Sequence, residues 1–293
     1  MKILITGSNG LLGQKIVKQC LLNEIPFLAT SKGINRNPDC PNEFFSALDI
    51  TDQGQIHEIF TGFSPTHVIH TAAITNVDYC ELHPEECEQV NFHAVQLLFD
   101  QARQFNAHFQ LLSTDFVFDG KNGPYKETDL VGPLSRYAES KVNAENYILG
   151  SDYTNFSIVR TIIVYGTANN LSRSNLIVWA KDALRNQAEI QVIDDQFRAP
   201  TWADDLAWAC LEICKKQKMG IYHISGEETL SIYAIVERIA KYYSLPMANV
   251  KKVKSNTLNQ PAQRPPITGF DLSKAKKDLG YLPTPLEKTF DLL

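Results

Sequence analysis

Residues 1–13 read MKILITGSNGLLG, and this stretch decides the fold. Ile3, Leu4 and Ile5 form a short apolar run closed by a glycine turn, the pattern of a strand buried in a parallel sheet. Gly7, Gly10 and Gly13 follow as G-x-x-G-x-x-G, with Ser8 and Asn9 between the first two. From residue 14 to 23, Ile16, Val17 and Leu21 recur at helical spacing. Strand, glycine turn and helix open a dinucleotide-binding βαβ unit. Glycine lets the backbone turn tightly and approach a pyrophosphate, and the helix start offers free N–H groups and the positive end of its dipole. Gly7, Asn9, Gly10, Leu11, Leu12 and Gly13 are therefore candidate cofactor-binding residues.

Working outward, residues 26–30 read as a second strand. An acidic residue at its end commonly holds a ribose 2′-OH, but here Ser31 and Lys32 stand there, with Arg36 close behind. Hydroxyl and basic groups suit a 2′-phosphate, so the expected cofactor is NADPH, with NADH the alternative. Residues 44–48 make a third strand ending at Asp49-Ile50, and Thr51 is placed to cap the next helix. Residues 66–70 make a fourth, closed by Thr71-Ala72-Ala73, small residues that leave room for a ligand at a strand end. A long helix is expected over 84–105, with Asn91 on its buried side. Residues 108–112 form a fifth strand running into Ser113-Thr114-Asp115. The turn-rich stretch 119–133 is irregular, Ser135 caps a helix, and 157–164 forms a sixth strand.

Strands alternating with helices predict an α/β fold with a doubly wound parallel sheet of the Rossmann kind. Residues 1–166 are the expected NAD(P)-binding domain. Residues 167–293 are the expected smaller C-terminal α/β substrate-binding region, some of whose segments return to pack on the first. In this half, helices are expected over 175–184, 203–215, 231–243 and from 273, and strands over 190–193 and 220–224. Arg198 to Thr201 reads as a turn.

The 293 residues are 44% hydrophobic and carry a net charge of −5, enough for a large core and without the basic excess that nucleic acid demands. Met1 leads straight into the first strand, which argues against a signal peptide, and no apolar run is long enough to span a bilayer. The six cysteines form no C-x-x-C pair. Reduced thiols in a cytoplasmic protein are the expected state, with no metal and no membrane partner.

Tyr137 and Lys141 are four apart in one helix and share a face. A free tyrosine titrates near 10, too high for acid–base work at neutrality. An ammonium about 4 Å away, at an effective dielectric of about 20, favours the phenolate by roughly 4 kcal/mol. That shift brings the phenol into working range. Thr114, at a central strand end, can offer a hydroxyl to a carbonyl oxygen. Thr114, Tyr137 and Lys141 are the candidate catalytic set for hydride transfer to a ketone.

The chain resembles the extended short-chain dehydrogenases/reductases, and within them the dTDP-4-dehydrorhamnose reductase family. The resemblance runs almost end to end through TGSNGLLG, TAAITNVDYCE, LSTDFVFDGKNGPYKETD, PLSRYAESKVNAE, VRTIIVYG, RAPTWADDLA and QRPPITGFDLSK. It implies that Gly7, Gly10 and Gly13 hold the pyrophosphate. It further implies that Asp49 and Ile50 flank the adenine, that Ala72 and Ala73 line the cofactor, and that Lys141 also holds the nicotinamide ribose. Three positions depart from the family pattern. Phe116 stands where rhamnose-forming reductases usually have tyrosine, Ile163 where they usually have a pocket tryptophan, and Tyr79 where a basic residue is usual.

The function implied is NADP(H)-dependent reduction of a keto-sugar nucleotide, foremost dTDP-4-dehydrorhamnose in dTDP-L-rhamnose synthesis. One alternative is a non-catalytic NADP-binding regulatory subunit resembling the β subunit of methionine adenosyltransferase, which keeps Y-x-x-x-K and has an aliphatic residue at the Ile163 position. The other is a reductase of a different sugar. The partner expected is a nucleotide-sugar substrate, and a homodimer is compatible with the sequence.

Overall fold

A computed structural model describes residues 1–293. The first half runs β1 (Ile3–Thr6), α1 (Leu11–Leu22), β2 (Phe27–Ser31), β3 (Phe45–Ala47), α2 (Gln53–Phe63) and β4 (His67–His70). It continues through α3 (Val77–Leu82), α4 (Pro84–Glu88), a π-helical turn (Gln89–His93), α5 (Ala94–Gln104), β5 (His108–Thr114), α6 (Arg136–Leu149) and β6 (Phe156–Thr161). The second half holds β7 (Val164–Tyr165), α7 (Leu176–Arg185), β8 (Ile190–Ile193), β9 (Phe197–Arg198), β10 (Thr201–Trp202) and α8 (Ala203–Lys215). It ends with β11 (Gly220–Ile224), β12 (Leu230–Ser231), α9 (Ile232–Tyr242), β13 (Val250–Val253) and α10 (Ser273–Leu279).

Seven strands form one sheet in the order β11-β6-β5-β4-β1-β2-β3, and every pairing in it is parallel. Such a sheet needs helices on both faces. On one face α1 packs on α8 over a core containing Ile16, Val17, Leu206 and Cys210. On the other, α2, α5 and α6 cover Leu4, Val68, Phe109 and Ile158. A third cluster, with Ile177, Trp202, Ile235 and Phe290, unites α7 and α9 in the second half. The strand order reverses at β1, between β4 and β2, and the crevice beyond the strand ends there is where such sheets bind ligands.

The doubly wound parallel sheet is as expected, and the differences from the sequence reading are local. Helix α2 is capped by Asp52, whose side chain accepts from the Gln55 N–H; the Thr51 hydroxyl instead donates to Asp49 at 2.7 Å. The expected helix over 84–105 is interrupted by the π-helical turn, which carries Asn91. That amide accepts from the Ile74 N–H at 2.8 Å and donates to the Ile74 carbonyl at 3.0 Å, pinning the segment after β4. The sixth strand stops at Thr161, because Ile163 adopts a φ of 30°. Thr201 then closes the break, its N–H reaching the carbonyls of Ile162 and Ile163, each at 3.1 Å. Arg198 and Thr201 belong to short strands either side of their turn. Helix α3 and strand β13 had no clear periodicity and were not anticipated. Strand β11, from the second half, completes the sheet beside β6. No helix is long and apolar enough to cross a membrane.

Candidate active site

A cleft of about 970 Å³ opens over the ends of β1, β4, β5 and β6. The glycine turn forms its floor. Gly7 has a φ of +72°, and an added Cβ would lie 2.7 Å from the Ala72 backbone nitrogen. A Cβ at Gly13 would lie 2.4 Å from the Gly7 carbonyl. These glycines are required by close packing at the switch point. Gly10 differs: it caps α1 with an ordinary φ of −80° and no side-chain cap, so the helix start faces the cleft unblocked. The uncapped helix start and the glycine floor together fit the diphosphate of a dinucleotide.

Gly7, Asn9, Gly10, Leu11, Leu12 and Gly13 all line this cleft, as do Ser31, Lys32, Asp49, Ile50, Ala72 and Ala73. Asn9 also shapes it. Its amide donates to the Ile34 carbonyl and accepts from the Arg36 N–H at 2.8 Å, tying the loop after β2 to the glycine turn. Arg36 lines the cleft too. Lys32 pairs with Asp49 at 2.7 Å, and that contact, with the Thr51 hydroxyl, holds the Asp49 carboxyl down at about 2.

Thr114, Tyr137 and Lys141 come together at the far end of the same cleft. Ser135 caps α6 by accepting from the Ala138 N–H, which fixes the register that turns Tyr137 and Lys141 inward. Both are buried, and Cys80 and Cys87 pack against the Tyr137 ring. Burial pulls the Lys141 ammonium down to about 8, against the opposing pull of Glu145. None of the forces on it is a hydrogen bond, so its donors are free for a ligand in the cleft. Burial pushes the Tyr137 phenol above its ordinary value, and the Thr114 hydroxyl draws it partly back. Lys141 is not among the groups acting on it. The expected lysine-lowered phenol is therefore corrected: desolvation dominates, the neighbouring Asp115, Cys80 and Cys87 push in the same direction, and Tyr137 is a protonated donor.

Two of the three departures from the family pattern, Phe116 and Ile163, line the same cleft. The Phe116 ring meets the Tyr137 ring edge-on at 6.1 Å. Tyr79 donates to Glu86 at 2.5 Å. The second half adds Arg173, Gln196, Arg198, Gln260 and Arg264 to the lining, none singled out from sequence. Arg198 and Arg264 lie within the conspicuous RAPT and QRPP stretches, which were the available signal. No group of three or more His, Cys, Asp or Glu side chains is arranged to hold a metal ion.

The parallel sheet, its glycine turn and the Y-x-x-x-K on α6 define an extended short-chain dehydrogenase/reductase. Residues 1–291 match the family described as "RmlD substrate binding domain", and the chain belongs to that family. It is 32% identical over 97% of its length to a dTDP-4-dehydrorhamnose reductase of Aggregatibacter actinomycetemcomitans, covering 95% of that protein. It is 28% identical to methionine adenosyltransferase 2 subunit beta of Bos taurus over 93% of this chain and 81% of that one. Among solved structures, dTDP-4-dehydrorhamnose reductase from Bacillus anthracis in complex with NADP superposes with a TM-score of 0.86. That match is at 25% identity and covers 99% of this chain and 98% of the other.

Proposed function

We propose that this protein is an NADPH-dependent reductase of a keto-sugar nucleotide, with dTDP-4-dehydrorhamnose as the leading substrate. One observation carries the reading: a buried lysine with free donors, a protonated tyrosine one turn away and a strand-end hydroxyl share the cleft that the glycine turn opens. Bound NADPH would supply the hydride. The glycine turn and the start of α1 would hold its diphosphate, Ser31, Lys32 and Arg36 its 2′-phosphate, and Lys141 its nicotinamide ribose. Thr114 orients the sugar's keto oxygen, and Tyr137 delivers the proton as charge develops there. Residues 1–166 would serve the dinucleotide and 167–293 the sugar nucleotide, with Arg173 and Arg264 in the cleft lining as candidate partners for its phosphates. The six free, buried cysteines support a cytoplasmic setting, and the reading accommodates a homodimer.

The test is NADPH oxidation with dTDP-4-dehydrorhamnose, then with other 4-keto-sugar nucleotides. Tyr137→Phe keeps the ring and removes the proton, so turnover should fall by roughly a hundred-fold or more while NADPH affinity holds. A second reading, a binding subunit like the methionine adenosyltransferase relative, is favoured by Phe116 and Ile163 at the sugar end. Stoichiometric NADPH binding with no turnover of any keto sugar would select it.

A further inference from the structure

Arg198, at the end of β9, is 2% exposed and joins two segments far apart in sequence. Its guanidinium donates to the carbonyls of Pro265 at 2.6 Å, Pro266 at 3.2 Å and its own neighbour Phe197 at 2.7 Å. Its Nε lies 3.7 Å from an oxygen of buried Asp115, and the Thr268 hydroxyl donates to that same oxygen. The other Asp115 oxygen accepts the Thr114 hydroxyl at 3.1 Å. The guanidinium carbon also sits 5.4 Å over the Phe116 ring, which in turn meets Tyr137. A buried ion pair is costly to desolvate and is weak evidence for stability alone. Its placement here is informative, because apart from the bond to its neighbour Phe197 its contacts lead either to the strand end at Thr114–Phe116 or to the 265–268 segment.

We propose that Arg198 is a positioning residue for the reaction: through Asp115 it sets the Thr114 hydroxyl, through Phe116 it sets Tyr137, and it locks both to residues 265–268. Thr114 must release Asp115 to address a substrate oxygen. Arg198 and Thr268 already engage that carboxylate, which weakens its hold on Thr114. The same tail segment brings Gln260 and Arg264 to the cleft wall, so a substrate pressing on it is felt at the strand end. The inference rests on reading Thr114 and Tyr137 as the groups that meet the reacting carbonyl.

The test uses Arg198→Lys, which keeps the charge but not the fork, and the charge-neutral pair Arg198→Met with Asp115→Asn in case the first is unstable. Hydrogen exchange is followed by mass spectrometry over residues 114–118 and 264–270, beside kcat, KM and NADPH affinity. In either folded variant both segments should exchange faster together, while β1 and β2 keep the parent's protection. Turnover should drop about tenfold or more with NADPH affinity unchanged, as misplacement of a catalytic group implies. Loosening confined to 264–270, or parental kcat in a folded variant, would overturn the proposal. If the parent protein itself reduces no keto sugar, the reductase reading fails, and the exchange result still decides whether Arg198 couples the two segments.

Discussion

Lys141 lies one turn from Glu145 on the buried face of α6, and the carboxylate that offsets its charge is forked by Arg160 of β6 at 2.6 Å. The Ser113 hydroxyl donates to the same carboxylate at 2.5 Å. The pull of burial on the candidate ammonium is thus partly offset by a carboxylate that does not line the cleft.

Lys141 therefore carries a stability cost. Burial takes it from 10.5 down to about 8, so keeping it protonated at pH 7 costs the fold on the order of 3 kcal/mol. Between about pH 8 and 10.5 the unfolded chain binds a proton the folded one has released, and stability rises with pH across that window. Lys141→Met should be inactive yet more stable than the parent at pH 7, with the gap closing by pH 10. Urea unfolding at the two pH values measures it; a variant less stable at pH 7 would refute the cost.

Removing one member of the pair behind it acts oppositely. Glu145→Gln removes the charge that pairs Arg160 in the sheet, leaving it a 3.4 Å approach to His223 Nε2 and the face of the Phe118 ring at 5.1 Å. A loss of about 3–5 kcal/mol is expected, as for breaking any buried pair. An unfolding midpoint close to the parent's would mean that water or a rearranged partner reaches Arg160.

The glycines of the turn should separate by role. At Gly10 a methyl group meets only the Gly7 carbonyl, at 3.2 Å, so Gly10→Ala should fold and lose NADPH affinity. At Gly13 the methyl group would sit 2.4 Å from that carbonyl, so Gly13→Ala should lose about 1–3 kcal/mol of stability as well. Thermal melts with and without NADPH distinguish the two; equal behaviour would contradict the packing argument.

Lys32 is exposed and its contact is with Asp49. If it turns to a 2′-phosphate on binding, Lys32→Ala should weaken NADPH about tenfold, the worth of one charge-assisted hydrogen bond. NADH should be nearly unaffected. Fluorescence titration with both nucleotides checks this, and parallel losses for the two would reassign Lys32 to holding Asp49.

What could be read from sequence was what is local. The glycine turn declares itself beside its strand, and Tyr137 and Lys141 fall four apart behind a visible cap at Ser135. The Asp52 cap and the π-helical turn at Asn91 were missed because the residues on either side scan as ordinary helix. The Arg198–Asp115 pair was missed for a deeper reason. Its members are 83 positions apart (198 − 115), and no periodicity relates a β9 residue to a β5 strand end. The fall of Tyr137 towards neutrality was expected from spacing alone, but burial, which spacing does not reveal, reverses its sign.

The place of β11 in the sheet has a consequence for how the chain is made. Strands β1 to β6 all precede β11 in the chain, so a sheet formed during synthesis would have a bare outer edge at β6 until Gly220–Ile224 arrives. At roughly 10 residues per second that edge waits several seconds, open to pairing with another nascent chain. Helix α1 likewise waits for α8 to cover its apolar face. A fragment cut at residue 166 keeps the whole glycine turn but inherits that unfinished edge permanently, so it should aggregate rather than bind dinucleotide as a free-standing unit.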